Sequence, residues 1–127
     1  MDASILNGLT LAYIGDSIYE TYIRQMNIEK GLGKVNVLHK HTIKYTCAEY
    51  QAKGILYLYD NNILSEEETQ IFKRGRNSNT NKTRKSLSIL DYNNATGFEA
   101  LIGYLYLKDN LNRAYELISI VIQNVEA

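Results

Sequence analysis

Leu11-Ala-Tyr-Ile-Gly-Asp-Ser-Ile-Tyr-Glu20 is the stretch from which the rest of the chain can be read. At a helical 100° per residue, Leu11, Ile14, Gly15, Ile18 and Tyr22 share one side, while Tyr13, Asp16, Glu20 and Arg24 share the other. A glycine inside such a helix costs about 1 kcal/mol relative to alanine, so Gly15 implies close packing of bare backbone against a neighbour. Asp16 is then either a solvated surface charge or half of an active site.

Working outward, every segment reads as helix. The chain contains no proline, and apolar residues recur at three- and four-residue steps. The first helix is expected from about Ser4 to Met26, followed by a loop at Gly31 and Gly33. A second helical region opens at Lys34-Val-Asn-Val-Leu38 and continues to about Lys53, with breaks at Gly54 and at Asp60-Asn61-Asn62. Ser65 followed by Glu68 fits a capping box and predicts a helix from Glu66 to about Gly75. Residues 75–93 read as a long polar connection with a short ordered piece at Ser86–Leu90. Asn93 or Asn94 then caps a helix to about Lys108, and Asn110 caps a last one from Leu111 to about Val125. The expected architecture is all-α, one domain over residues 1–127, a length that suits a single core.

Charge is balanced but segregated. Fourteen basic and fourteen acidic residues cancel, yet residues 73–85 carry Lys73, Arg74, Arg76, Lys82, Arg84 and Lys85 with no acid. Residues 30–53 add five lysines, His39 and His41 against Glu49 alone. Such segments let a neutral protein present a positive face to a polyanion, although a solvated loop would show the same composition. One cysteine, Cys47, excludes an intrachain disulfide and a Cys-based zinc site. With no apolar run of about 20 residues and no basic leader, the expectation is a soluble cytoplasmic protein.

The segment Asn94–Lys108 is apolar nearly all round and holds one carboxylate, Glu99, with Gly103 one turn on. A carboxylate in such surroundings must be paired, protonated or bound to a metal. A salt bridge to a lysine or arginine would satisfy it, and so would a Mg²⁺ ion shared with Asp16. His39 and His41, two apart, face different ways on a helix and make a poor metal pair.

These features resemble the ribonuclease III family. Leu11–Glu20 is similar to the signature helix of its catalytic domain, and Thr96-Gly-Phe-Glu-Ala-Leu-Ile-Gly-Tyr-Leu-Tyr-Leu107 to its second acidic helix. Lys34-Val-Asn-Val-Leu-His39, Phe72-Lys-Arg-Gly-Arg-Asn77 and the chain length resemble the short bacterial branch, Mini-ribonuclease III, which lacks a double-stranded-RNA-binding domain.

The resemblance implies an all-α homodimer that cleaves double-stranded RNA by Mg²⁺-dependent hydrolysis, leaving 5′-phosphate ends. Asp16 and Glu99 match the family's metal-binding catalytic acids. Two further acids of larger relatives fall at positions occupied here by Ala12 and Thr96, so fewer protein ligands and more waters are expected, which magnesium tolerates. Glu20 is a candidate accessory acid. Arg74, Arg76, Asn77, Lys82, Arg84 and Lys85 are expected to contact RNA, and Asn93 stands where the branch usually has arginine. The implied substrate is the stem flanking precursor 23S ribosomal RNA, with a ribosomal protein as helper. The competing expectation is a catalytically inactive dimeric RNA-binding or ribosome-associated protein of the same fold, which the losses at Ala12 and Thr96 would suit.

Overall fold

Asn7 starts the first long helix: its side-chain oxygen accepts the Thr10 amide at 2.8 Å, satisfying one of the orphan donors of the first turn. The computed structural model describes residues 1–79 and 87–127. Within them a 3₁₀ turn at Ala3–Ile5 precedes α1 (Gly8–Glu29), α2 (Val35–Thr46), α3 (Ala48–Asp60), α4 (Glu66–Arg76), α5 (Leu87–Leu107) and α6 (Leu111–Asn124). No strand occurs among the described residues, in keeping with the all-α expectation. None of the described helices is long and apolar enough to cross a membrane.

Helix α5 is the hub, and α1, α3 and α4 pack most extensively against it. Phe98, Ala100, Leu101 and Ile102 on α5 are wholly buried, as a helix apolar nearly all round must be to escape water. The buried stripe of α1 runs Leu11, Gly15, Tyr19, Ile23 and Asn27, a strict four-residue step. Tyr19 meets Phe98 edge-to-face at 5.6 Å, joining this stripe to α5.

Four boundaries differ from the sequence expectation. The chain from Ala3 to Ile5 forms a separate turn, so α1 starts only at Gly8 and then continues to Glu29. The second helical region breaks at Cys47, whose extended backbone (φ −68°, ψ 152°) turns α3 away from α2. Gly54 lies inside α3 rather than at a break: it gives room to Val121 of α6, whose Cγ1 would be 2.6 Å from a methyl group there. Helix α5 begins at Leu87, so residues 87–93 belong to it, and the expected Ser86–Leu90 piece is largely its first turn.

The capping box at Ser65 forms as expected, with Glu68 N donating to Ser65 Oγ and Ser65 N to Glu68 Oε1. Arg113 of α6 grips Glu68 with two bonds of 2.8 Å and also bonds the Ile63 carbonyl at 2.9 Å. Burial alone would raise the Glu68 pKa, but Arg113 and Ser65 outweigh it and hold the carboxyl below its ordinary value. This fork ties the start of α4 to α6.

Candidate active site

Two glycines let α1 and α5 touch backbone to backbone. A methyl group on Gly15 would run into the Glu99 carbonyl and come within 2.8 Å of Gly103 N; one on Gly103 would strike the Leu11 carbonyl. The close packing anticipated at Gly15 is thus a glycine-on-glycine crossing. It places Asp16, one residue beyond Gly15, against Glu99, one turn before Gly103. Asp16 is exposed and Glu99 half-buried, so the pair lies at a rim where the core meets water.

The electrostatics follow from this placement. Burial first, and then the Asp16 carboxyl through a hydrogen bond and its charge, together push the Glu99 carboxyl up to about 8. Gln51 of α3 is the one neighbour that pulls the other way. Among the described residues no lysine or arginine forms a salt bridge with either acid. Of the three ways to satisfy Glu99, pairing with a basic side chain is therefore not the one the described residues adopt. In the absence of a cation, Glu99 keeps its proton at neutral pH.

The donor set fits a hard divalent ion. It consists of two carboxyl groups from two helices, one facing water, with no thiolate or imidazole between them, and Mg²⁺ prefers one or two carboxylates plus waters and phosphate oxygens. Among the described residues no three His, Cys, Asp or Glu side chains converge. The site is consequently a two-acid platform rather than a closed protein cage. It faces water through the exposed Asp16, and the acids do not line the hollow of about 220 Å³ formed by Arg24, Ile28, Val35, Leu38, His39 and Thr42.

The other expected site residues are placed as follows. Glu20 is taken up by Arg24 one turn on, with Nη2 at 2.9 Å from Oε2. Ala12 is buried in the α1 core. Thr96 is buried too, its hydroxyl donating to the Tyr92 carbonyl at 3.0 Å and accepting from Asn79 Nδ2 at 3.1 Å. Asn79 also donates to Asn93 Oδ1 at 3.0 Å, so the asparagine at position 93 helps anchor the residue that leads out of α4. Arg74 sends Nη1 to the Ser4 and Leu6 carbonyls at 2.7 and 3.1 Å, which holds the N-terminal segment down. Arg76 lies over the Phe72 ring at 5.4 Å, and Asn77 caps α4. Lys82, Arg84 and Lys85 lie outside the described residues. Sequence reasoning missed Gln51 and Asn79, because an isolated amide in a helix or loop carries no periodic signal.

Comparison with known proteins shows the family of the chain. The profile of the Ribonuclease III domain matches residues 9–110, which include both acids. The chain belongs to the ribonuclease III domain family. Among its relatives, the Mini-ribonuclease 3 of Streptococcus pneumoniae is 42% identical over 126 residues, covering 99% of this chain and 98% of the relative. That of Enterococcus faecalis is 43% identical over 124 residues, covering 98% and 94%. A crystal structure of a Fusobacterium nucleatum protein superposes with a TM-score of 0.81 at 33% identity, covering 96% of each chain. Similarity runs over almost the whole chain.

Proposed function

We propose that this chain is an endoribonuclease that cleaves double-stranded RNA by Mg²⁺-dependent hydrolysis, acting as one catalytic domain over residues 1–127. The observation that carries the reading is the Asp16–Glu99 pair, two carboxyl groups pressed together at an open rim with no basic partner among the described residues. Asp16 and Glu99 would hold the cation, Asp16 from the solvent side and Glu99 from the core side. When bound, Mg²⁺ supplies a Lewis acid to a phosphate oxygen and an activated water. Glu99 would have to give up its proton to act as a ligand, and its partial burial would strengthen its attraction for a bound cation. Hydrolysis leaves a 3′-hydroxyl and a 5′-phosphate.

The chain's own surface supports the rest. Arg76 at the C-terminal turn of α4 and the basic residues that follow would contact phosphates rather than base edges, because the A-form major groove excludes side chains. Leu9 and Tyr13, one turn apart on α1, are 49% and 84% exposed beside Asp16, an apolar pair that a second copy would cover in a homodimer with two centres. The substrate we propose is the stem of precursor 23S ribosomal RNA in the cytoplasm, with a ribosomal protein presenting it. A non-catalytic RNA-binding role would give Asp16 and Glu99 no reason to stay together without a counter-charge.

The test is incubation with a uniform RNA duplex, its single strands and the matching DNA duplex, with Mg²⁺ and with chelator. Cleavage of the RNA duplex alone, only with Mg²⁺ and with 5′-phosphate ends, is the expected result. Binding of the duplex without cleavage would transfer the chain to the non-catalytic reading.

A further inference from the structure

Gln51 lies on α3, one of the helices packed against α5, and it is 2% exposed. Its backbone is held in the helix by the Cys47 carbonyl at 3.1 Å. Its side-chain Nε2 is buried and has no hydrogen-bond partner, one of only two such side-chain atoms among the described residues. Buried donors are nearly always bonded, so a lone one marks either a strained spot or a partner not yet engaged. The amide sits beside the Glu99 carboxyl, where a donor favours the charged form. Tyr19, Tyr50 and Phe98 are likewise almost wholly buried. Tyr19 spends its hydroxyl on the Tyr45 carbonyl, and Tyr50 spends its own on Val125, so neither is free for Glu99.

We infer that Gln51 is a positioning residue for the metal site: its Nε2 donates to the Glu99 oxygen that does not face the cation, and so aims the other oxygen at it. The inference rests on the proposed role of Glu99 as a ligand. A carboxylate ligand holding one oxygen on the ion needs its second oxygen fixed, and such outer partners commonly govern affinity. The site of this chain has only Asp16 and Glu99 to hold the ion, so the orientation of each matters more than in a ring of four acids. An apolar residue of the same shape would fill the space as well and would remove an unsatisfied donor. The retained amide is therefore a cost to folding that metal binding recovers.

The experiment measures Mn²⁺ binding directly, by the loss of the free-ion paramagnetic resonance signal, on wild type, Gln51→Met and Gln51→Leu without RNA. Thermal melts are recorded on the same metal-free samples. Both variants are expected to melt at or above the wild-type temperature and to bind Mn²⁺ about tenfold to a hundredfold more weakly. Cleavage should then recover toward the wild-type rate as Mg²⁺ is raised, because Gln51 shifts the affinity and not the chemistry. Unchanged Mn²⁺ affinity in either folded variant would overturn the inference. Loss of a cooperative melt in both variants would assign Gln51 to core packing and overturn it equally. If wild type itself binds no Mn²⁺, the ligand role of Glu99 fails first, and that outcome is visible before any variant is compared.

Discussion

Glu99 carries the chemical tension of the site. Its ionisation is opposed by burial and by Asp16, and its pKa of about 8 lies well above the ordinary glutamate value of about 4.3. In metal-free protein the folded state therefore holds a proton that the unfolded chain releases, so stability falls as pH rises from about 4 toward about 8 and levels off beyond. Because Glu99 is half-buried rather than sealed, solvent softens the effect. Metal binding has the opposite slope. Below about pH 8 each bound cation must displace the Glu99 proton, so the apparent affinity for Mn²⁺ should rise close to tenfold per pH unit between about pH 6 and pH 8 and then flatten. Calorimetry in buffers of different ionisation enthalpy should show about one proton released per ion; a pH-independent binding constant with no proton release would contradict this.

Among the helices, the decisive contact is the crossing of α1 and α5 through Gly15 and Gly103. Alanine at either position would press a methyl group into the partner's backbone, which cannot yield as a flexible side chain would. Overpacking of this kind costs about 3 kcal/mol, so Gly15→Ala and Gly103→Ala should each lower the midpoint of urea unfolding. Activity should fall even where folding survives, since the helices must part between Asp16 and Glu99. A wild-type denaturation midpoint in Gly103→Ala would show that the crossing is looser than described.

The same scale shows what could be read in advance. Gly15 beside an acid, and Glu99 with Gly103 in an apolar segment, carried the α1–α5 pairing, and Ser65 with Glu68 carried the start of α4. Gly54 looked like a break because a glycine in an apolar pattern has no mark telling packing from termination; only Val121 on α6 decides it. Asn93 looked like a cap because free asparagine competes with the backbone. Its side-chain oxygen is instead taken by Asn79, fourteen residues earlier, and the helix runs through. Cys47 breaks α2 from α3 with no glycine or proline to announce it. Gln51 was illegible for the same reason: where an amide points is settled by tertiary packing.

For the whole molecule, zero net charge coexists with a basic end to α4, where Lys73, Arg74 and Arg76 lie in the last turn. Counting charges treated Arg74 and Arg76 alike, but the fold separates them. Arg74 straps down the N-terminal segment through Ser4 and Leu6, seventy and sixty-eight residues away, whereas Arg76, among the described residues, is bonded to the neighbouring Asn77 side chain. Arg76→Ala should therefore weaken duplex RNA binding and reduce the slope of log affinity against log salt by about one contact, with a smaller loss of melting temperature than Arg74→Ala. Arg74→Ala should lower the melting temperature, because two carbonyls lose a charged donor. Equal RNA-binding losses in the two variants, with no change in melting, would return both to the same role.

The account as a whole depends on Asp16 and Glu99 acting as one unit. The direct measurement is single-turnover cleavage of an RNA duplex at saturating Mg²⁺ by wild type, Asp16→Asn, Glu99→Gln and the double variant. Residues that hold one ion together are strongly non-additive, so each single change should abolish nearly as much rate as both combined. Wild-type cleavage by either single variant, or losses that simply multiply in the double variant, would contradict the shared site.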